Sequence, residues 1–287
     1  MPQVQIVTDS AVRFTAPDFL EKFSVAIAPM RVRCGSTVLE ESSTSDLSLI
    51  RARHIEDQSV PVPEAPSVEL FTKIYSDLHA RSDQILSIHT SSGLCKSVEH
   101  AQIASQQFLG RVDIAIIDSQ TVSIGLGLLV QEAVKAAARG ADLETLVRIV
   151  RGMIPRLYMI FFLDDLLFLE KNGLVSKSQA ILGNMLGIIP FLTMEDGFMI
   201  PMEKVRSRPR ALEKLIEFVL EFSSIEHLAI LEGSPTPTQE SQALAERLRT
   251  FHPHTPLTMT CYGPCVSSFV GMDSLGVVVL ESEEDSL

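Results

Sequence analysis

Gln84-Ile85-Leu86-Ser87-Ile88-His89-Thr90-Ser91-Ser92-Gly93 is a short apolar run that stops in a cluster of hydroxyls. A helical stretch over about 97–109 follows, closed by Gly110. The same order of strand, hydroxyl loop and onward chain occurs twice more. Residues 4–7 run into Thr8-Asp9-Ser10. Residues 112–117 run into Asp118-Ser119-Gln120-Thr121-Val122-Ser123, ahead of a helix over about 125–139 that ends at Gly140. Strands alternating with helices predict a parallel sheet with helices on its faces.

Residues 25–32 and 37–40 read as extended, with Gly35-Ser36 as a tight turn between them. Residues 46–53 read as a short helix and 59–63 as a loop. Ser67 suits the N-cap of a helix whose apolar positions Phe71, Ile74, Tyr75 and Leu78 recur at helical spacing. The second half has a different texture. Residues 188–194 and 198–205 flank Glu195-Asp196-Gly197, a hairpin signal. Helices follow over about 209–222 and 239–251, with strands at 228–231, 257–262 and 276–280. The expected fold class is α/β with two domains: an N-terminal parallel-sheet α/β domain over 1–152 and a C-terminal mixed-sheet α/β domain over 153–287.

The 287 residues are 46% apolar and 21% charged, enough for a sizeable core, and the net charge is −12. A chain this acidic is repelled by phosphate backbones and anionic lipid surfaces, so nucleic acid is not an expected partner. The most apolar stretch, 158–169, is short and carries Asp164 and Asp165, so stable membrane insertion is not expected either. No secretory leader is visible, and four scattered cysteines fit reduced thiols; a cytoplasmic location is the expectation.

In open α/β sheets ligands bind beyond the carboxyl ends of the strands, where helix N-termini present free N–H groups. Three hydroxyl-rich loops there make a candidate site for a small anion such as a carboxylate or phosphate. The ordinary alternative is that each Ser or Thr is a turn former or cap. Gly125-Leu126-Gly127 lacks the third glycine of a dinucleotide fingerprint, and there is no Walker-type loop and no Gly-x-Ser-x-Gly elbow. Asp9, Ser10 and His89 have the composition of a hydrolase triad, which only geometry can establish. Cys261 and Cys265, like His252 and His254, lack zinc spacing, so no metal is expected. Lys204, Arg206, Arg208 and Arg210 form a basic cluster that could dock an acidic or phosphate-carrying partner.

Taken together, these pieces resemble the DegV family of bacterial fatty-acid-binding proteins over nearly the whole chain. The resemblance is carried by Val7-Thr8-Asp9-Ser10, Thr90-Ser91-Ser92-Gly93-Leu94, Asp118-Ser119, Leu166-x-x-Leu169-x-Lys171-Asn172-Gly173 through Ser176-Lys177, Glu195-Asp196-Gly197 and Lys204-Val205-Arg206. It implies a fatty acid as ligand, with no other cofactor, lying in an apolar tunnel between two α/β domains. It implies no catalysis by the chain itself. A separate fatty acid kinase would be the partner, converting the presented carboxylate to an acyl phosphate for phospholipid synthesis. The implied ligand-binding residues are Ser91 and Ser92, with Thr90, Ser10, Gln58, Ser59 and Phe269 around them. By the resemblance Arg206 falls near the basic position associated with kinase docking, and Lys204 and Arg208 of the same cluster are read with it as partner-docking residues.

The chain departs from the family pattern at four places. Gln58 stands where a carboxylate-binding threonine is usual and Phe269 where a histidine is usual. Leu174 replaces a common arginine, and Cys95 a common serine. Burying about sixteen methylenes at ~0.8 kcal/mol each gives on the order of 10 kcal/mol of gross transfer free energy. A hydrogen bond to a charged group contributes about 1.5–3 kcal/mol. The acyl tail therefore dominates affinity and the head selects orientation, so lipid binding should survive these changes. The departures also motivate a second reading, a paralogue that senses lipid or carries another amphiphile without the kinase step. A third reading is a small-molecule hydrolase using Ser92 or Ser10.

Overall fold

The computed structural model describes residues 4–42, 47–57, 59–163 and 165–283. Its strands are β1 (Gln5–Asp9), β2 (Ala26–Ala28), β3 (Arg31–Cys34), β4 (Thr37–Glu40), β5 (Val62–Glu64), β6 (Gln84–His89), β7 (Asp113–Asp118), β8 (Leu157–Phe162), β9 (Ile189–Glu195), β10 (Phe198–Val205), β11 (Ile225–Glu232), β12 (Leu257–Cys261) and β13 (Leu275–Glu281). Two units emerge. One comprises Met1–Ser45, Pro63–Pro155 and Asp196–Phe198, the other Asp46–Val62, Arg156–Glu195 and Met199–Leu287.

The first unit is built on a four-stranded sheet of order β2-β1-β6-β7, parallel throughout. Parallel sheets are covered on both faces, which is why β6 is buried from Ile85 to His89 instead of alternating. Helices Val68–His79 and Ser97–Ser105 pack Phe71, Tyr75, Ala101 and Ala104 against Val7 and Ile85. Ser67 caps the first of them by accepting from Leu70 N at 3.3 Å. Gly110 and Gly140 stop their helices in the left-handed region, at φ 75° and 92°.

The extended run expected over 25–32 is two strands. Pro29 has no N–H to give a ladder, so β2 ends before it and pairs with β1, while β3 turns away to pair with β4 in a separate three-stranded sheet of order β4-β3-β5. The two-residue turn at Gly35-Ser36 is present, with Cys34 opposite Thr37 and Gly35 at φ 57°.

The second unit holds a six-stranded mixed sheet, β10-β9-β8-β13-β11-β12, parallel only between β11 and β12 among its registered pairs. Asp196 and Gly197 take φ 49° and 84°, the paired left-handed geometry that an Asp-Gly hairpin turn requires. Helices Arg208–Val219 and Gln239–Phe251 bury Leu215, Val219, Leu244 and Leu248 against Ile160, Ile230 and Val277. Sequence reading assigns no element to β8 or to helices Leu143–Met153, Leu167–Lys171, Lys177–Met185 and Pro264–Val270. The apolar run at β8 is too short for its periodicity to separate strand from buried helix.

Two glycines give opposite tests of this packing. Gly127, inside helix Ile124–Ala138, faces the Arg13 carbonyl so closely that a Cβ would overlap it, whereas Gly152 in helix Leu143–Met153 has open space around its Cβ position. Gly127→Ala should destabilise by roughly 1–3 kcal/mol through overpacking. Gly152→Ala should stabilise by roughly 0.5–1 kcal/mol through helix propensity. Urea midpoints of the two variants check both signs.

Candidate functional site

Parallel pairing in register carries the ends of β1, β6 and β7 to one edge of the first unit's sheet, with Val7 opposite Ser87 and His89 opposite Asp118. A buried carboxylate ties two of the loops there. Asp9 Oδ2 accepts from Thr90 N at 2.8 Å, and Oδ1 accepts from Thr90 Oγ1 at 2.7 Å and from Ala11 N at 3.3 Å. The third loop joins through Ser91 N, which donates to Thr121 O at 2.9 Å, and Arg13 N, which donates to Ser123 O at 3.1 Å. Gln120 and Ser123 hold φ 52° and 58° in that loop, a region that few non-glycine residues occupy.

Inward from Asp9 runs a line of polar side chains in the core. His89 Nδ1 lies 3.5 Å from Asp9 Oδ2, His89 Nε2 2.7 Å from Ser87 Oγ, and Ser87 Oγ 2.9 Å from the Tyr75 hydroxyl. All four side chains are fully buried. Burial pushes the Tyr75 phenol well above its ordinary range. Histidine and aspartate are thus adjacent, but the serine beside His89 is Ser87. Ser10 Oγ instead accepts from Met30 N at 2.9 Å, so Asp9, Ser10 and His89 do not line up as a triad.

Every backbone N–H from Thr90 to Cys95 has an internal acceptor. Thr90 N serves Asp9, Ser91 N serves Thr121 O, and Ser92 N reaches both Asp118 carboxylate oxygens at 3.3 Å. Gly93 N donates to Ser91 Oγ at 3.2 Å, and Leu94 N and Cys95 N donate to Ser91 O. The two hydroxyls are committed as well. Ser91 Oγ, buried, donates to Gly197 O at 2.7 Å, and the exposed Ser92 Oγ donates to Asp118 Oδ2. Asp118 also accepts from Gln120 N at 2.9 Å. Neither Asp118 nor Gly197 is a partner that the sequence pattern singles out for these serines. Gly197 is 106 residues away along the chain and carries no side chain to signal the contact.

The remaining expected positions are in the second unit, apart from Gln58, which lies outside the described residues. Ser59 is half-buried, and its carbonyl accepts from His54 Nδ1 at 3.0 Å. Phe269 is half-buried in helix Pro264–Val270. In the basic cluster Arg208 is held by Glu240, with Nη2 to Oε2 at 2.6 Å, and lies 5.1 Å over the Phe162 ring. Arg210 pairs with Glu217 at 2.7 Å. Lys204 and Arg206 are exposed, and neither has an ion pair among the described residues.

The second unit also contains a mainly apolar groove of about 520 Å³, open to solvent and lined by Leu166, Leu169, Leu182, Leu186, Ile188 and Pro190, among others, with Leu182 and Leu186 more than half exposed and Glu203 and Lys204 on its wall. That volume falls in the range of small-molecule sites. Among the described residues no three His, Cys, Asp or Glu side chains are grouped to hold a metal ion, and no helix is long and apolar enough to cross a membrane. Chemically, one unit offers hydroxyls that can be re-aimed at an anion and the other an apolar lining for an aliphatic group.

A profile of the DegV family matches residues 3–282. A DegV domain-containing protein of Deinococcus radiodurans is 30% identical over 226 residues, 77% of this chain and 78% of that protein. Among solved structures, the fatty-acid-binding DegV family protein from Thermus thermophilus superposes with a TM-score of 0.83 at 23% identity, covering 98% of this chain and all of that one. The Fatty Acid Kinase (Fak) B3 protein of Streptococcus pneumoniae, solved with linoleic acid, gives a TM-score of 0.83 at 17% identity, with 98% of this chain and 100% of that one covered.

Cys95 closes the serine loop, and burial, reinforced by the Asp9 charge, pushes its thiol from 9.0 up to about 12. A raised acid pKa contributes stability that is complete below the unfolded value and lost as pH rises through the folded one. The wild type should therefore lose stability relative to Cys95→Ala between about pH 9 and 12, with no change in their difference below pH 9. Urea melts of both proteins across that window check it.

Proposed function

Since the chain belongs to the DegV family, we propose that it is a carrier that binds one long-chain fatty acid and presents its carboxylate to a separate fatty acid kinase. The observation that carries this reading is the apolar groove of about 520 Å³ in the second unit, whose exposed leucines an aliphatic chain would cover. An aliphatic chain buried there gains about 0.8 kcal/mol per methylene. The Thermus thermophilus relative binds fatty acid and the Streptococcus pneumoniae one holds linoleic acid, which supports the same ligand class here. Ser91 and Ser92 are proposed as the carboxylate donors, with Thr90 and Ser10 shaping their loop through Asp9 and Met30. Gln58, Ser59 and Phe269 are proposed around the headgroup. For kinase docking the proposal centres on Lys204 and Arg206, because Arg208 already answers Glu240. Phe269, standing where the family has a histidine, favours the second reading, a lipid sensor or carrier that never meets a kinase.

Protein purified from a bacterial host, denatured and extracted, should release a long-chain fatty acid at close to one per chain by mass spectrometry. An extract with no lipid, or only polar compounds, overturns the carrier reading. Incubation of the loaded protein with a fatty acid kinase and ATP should yield acyl phosphate; loaded protein that yields none is a sensor or a carrier of another kind. Ser92→Ala should weaken fatty acid binding by roughly tenfold or less, since a single hydrogen bond near the head is small beside the transfer free energy of the acyl chain.

A further inference from the structure

We infer that a carboxylate is captured at the serine loop by exchange: it takes the Ser91 hydroxyl proton from the Gly197 carbonyl and so releases the hairpin tip Asp196–Phe198. This rests on the fatty-acid reading above and adds to it a conformational readout of loading. A carboxylate only accepts, so it needs donors. Between Thr90 and Cys95 every backbone N–H already serves an internal acceptor. Of the loop's three hydroxyls, that of Thr90 is held by the buried Asp9 carboxylate, which leaves those of Ser91 and Ser92 to be redirected, each with one proton.

They are not equivalent. Ser92 donates to the Asp118 carboxylate, a charge-assisted bond stronger than a neutral one, and an incoming carboxylate there would also face the Asp118 charge. Ser91 donates to a neutral carbonyl at 2.7 Å. The neutral bond is the one that yields. Its loss matters because the tip is closely seated. A Cβ at position 197 would overlap Ser91 Oγ, and one at 93 would overlap the Gly197 carbonyl. Gly197 has no side chain to replace the lost bond, and the neighbouring Phe198 ring, which reaches Gly93, is more than half exposed. Hydroxyl and carbonyl cannot stay bonded while a ligand oxygen occupies the same proton.

Gly197-Phe198 is the one Gly-Phe pair in the sequence. Protein labelled with carbonyl-¹³C glycine and ¹⁵N phenylalanine therefore gives a single correlated signal for the Gly197 carbonyl. Oleate serves as the probe, with its one-to-one complex confirmed by native mass spectrometry. The expected result is an upfield shift of the Gly197 carbonyl on loading, as its hydrogen bond is lost. In Ser91→Ala the signal should start upfield and stay there when oleate is added, and in Ser92→Ala the shift on loading should persist. An oleate complex that leaves the wild-type signal in place overturns the exchange while the carrier reading stands, and this arm needs no variant to fold. A shift abolished by Ser92→Ala and kept in Ser91→Ala overturns it too. If no oleate binds, the carrier reading fails and the exchange falls with it.

Discussion

The Asp9 carboxylate, buried at the end of β1 and gripping both the N–H and the hydroxyl of Thr90, is the contact on which the polar edge of the first unit depends. A buried charge is tolerable only when its lone pairs are satisfied. Asp9 meets that condition by fixing the start of the Thr90–Cys95 loop, and the loop in turn fixes Ser91 and Ser92. Removing the carboxylate would leave two donors of Thr90 unpaired in the core, a loss of about 1–3 kcal/mol for each orphaned group.

As the proposed headgroup site, the Thr90–Cys95 loop, whose donors are all bonded within the protein, has a different character from an open anion nest. It offers a ligand only a trade, so the net gain from the head is small. The gross gain from a buried acyl chain, on the order of 10 kcal/mol, is several times larger. On the proposed reading, discrimination among amphiphiles by their heads would come from geometry and charge, here from the nearby Asp118, and retention from the apolar lining. The same arithmetic explains how Phe269 can occupy a family histidine position without removing the basis for lipid binding.

The strand–loop–helix order was legible because it is local: apolar runs, hydroxyl clusters and stop glycines lie side by side in the chain. The Asp196-Gly197 turn was legible for the same reason, since few dipeptides fit two left-handed residues. Pro29 was the missed signal in the long extended run, and it is readable once the missing N–H is counted. Helix Lys177–Met185 has a reciprocal cap in Ser176 and Gln179 but buries only Ala180 and Gly183, so its weakly amphipathic pattern gives little helical signal. The partners of Ser91 and Ser92 were out of reach of any pattern. A backbone carbonyl has no sequence signature, and the conversion of Ser87, not Ser10, into the neighbour of His89 follows from two-residue alternation along one strand.

The four thiols give the molecule built-in clocks. Cys34 and Cys95 in the first unit and Cys265 in the second are buried, while Cys261 is half-buried. A reagent such as a maleimide meets a buried sulfur only after its surroundings open, so the rate of labelling measures local opening. Each unit thus carries its own timer, and that of the first sits at Cys95, on the rim of the serine loop itself.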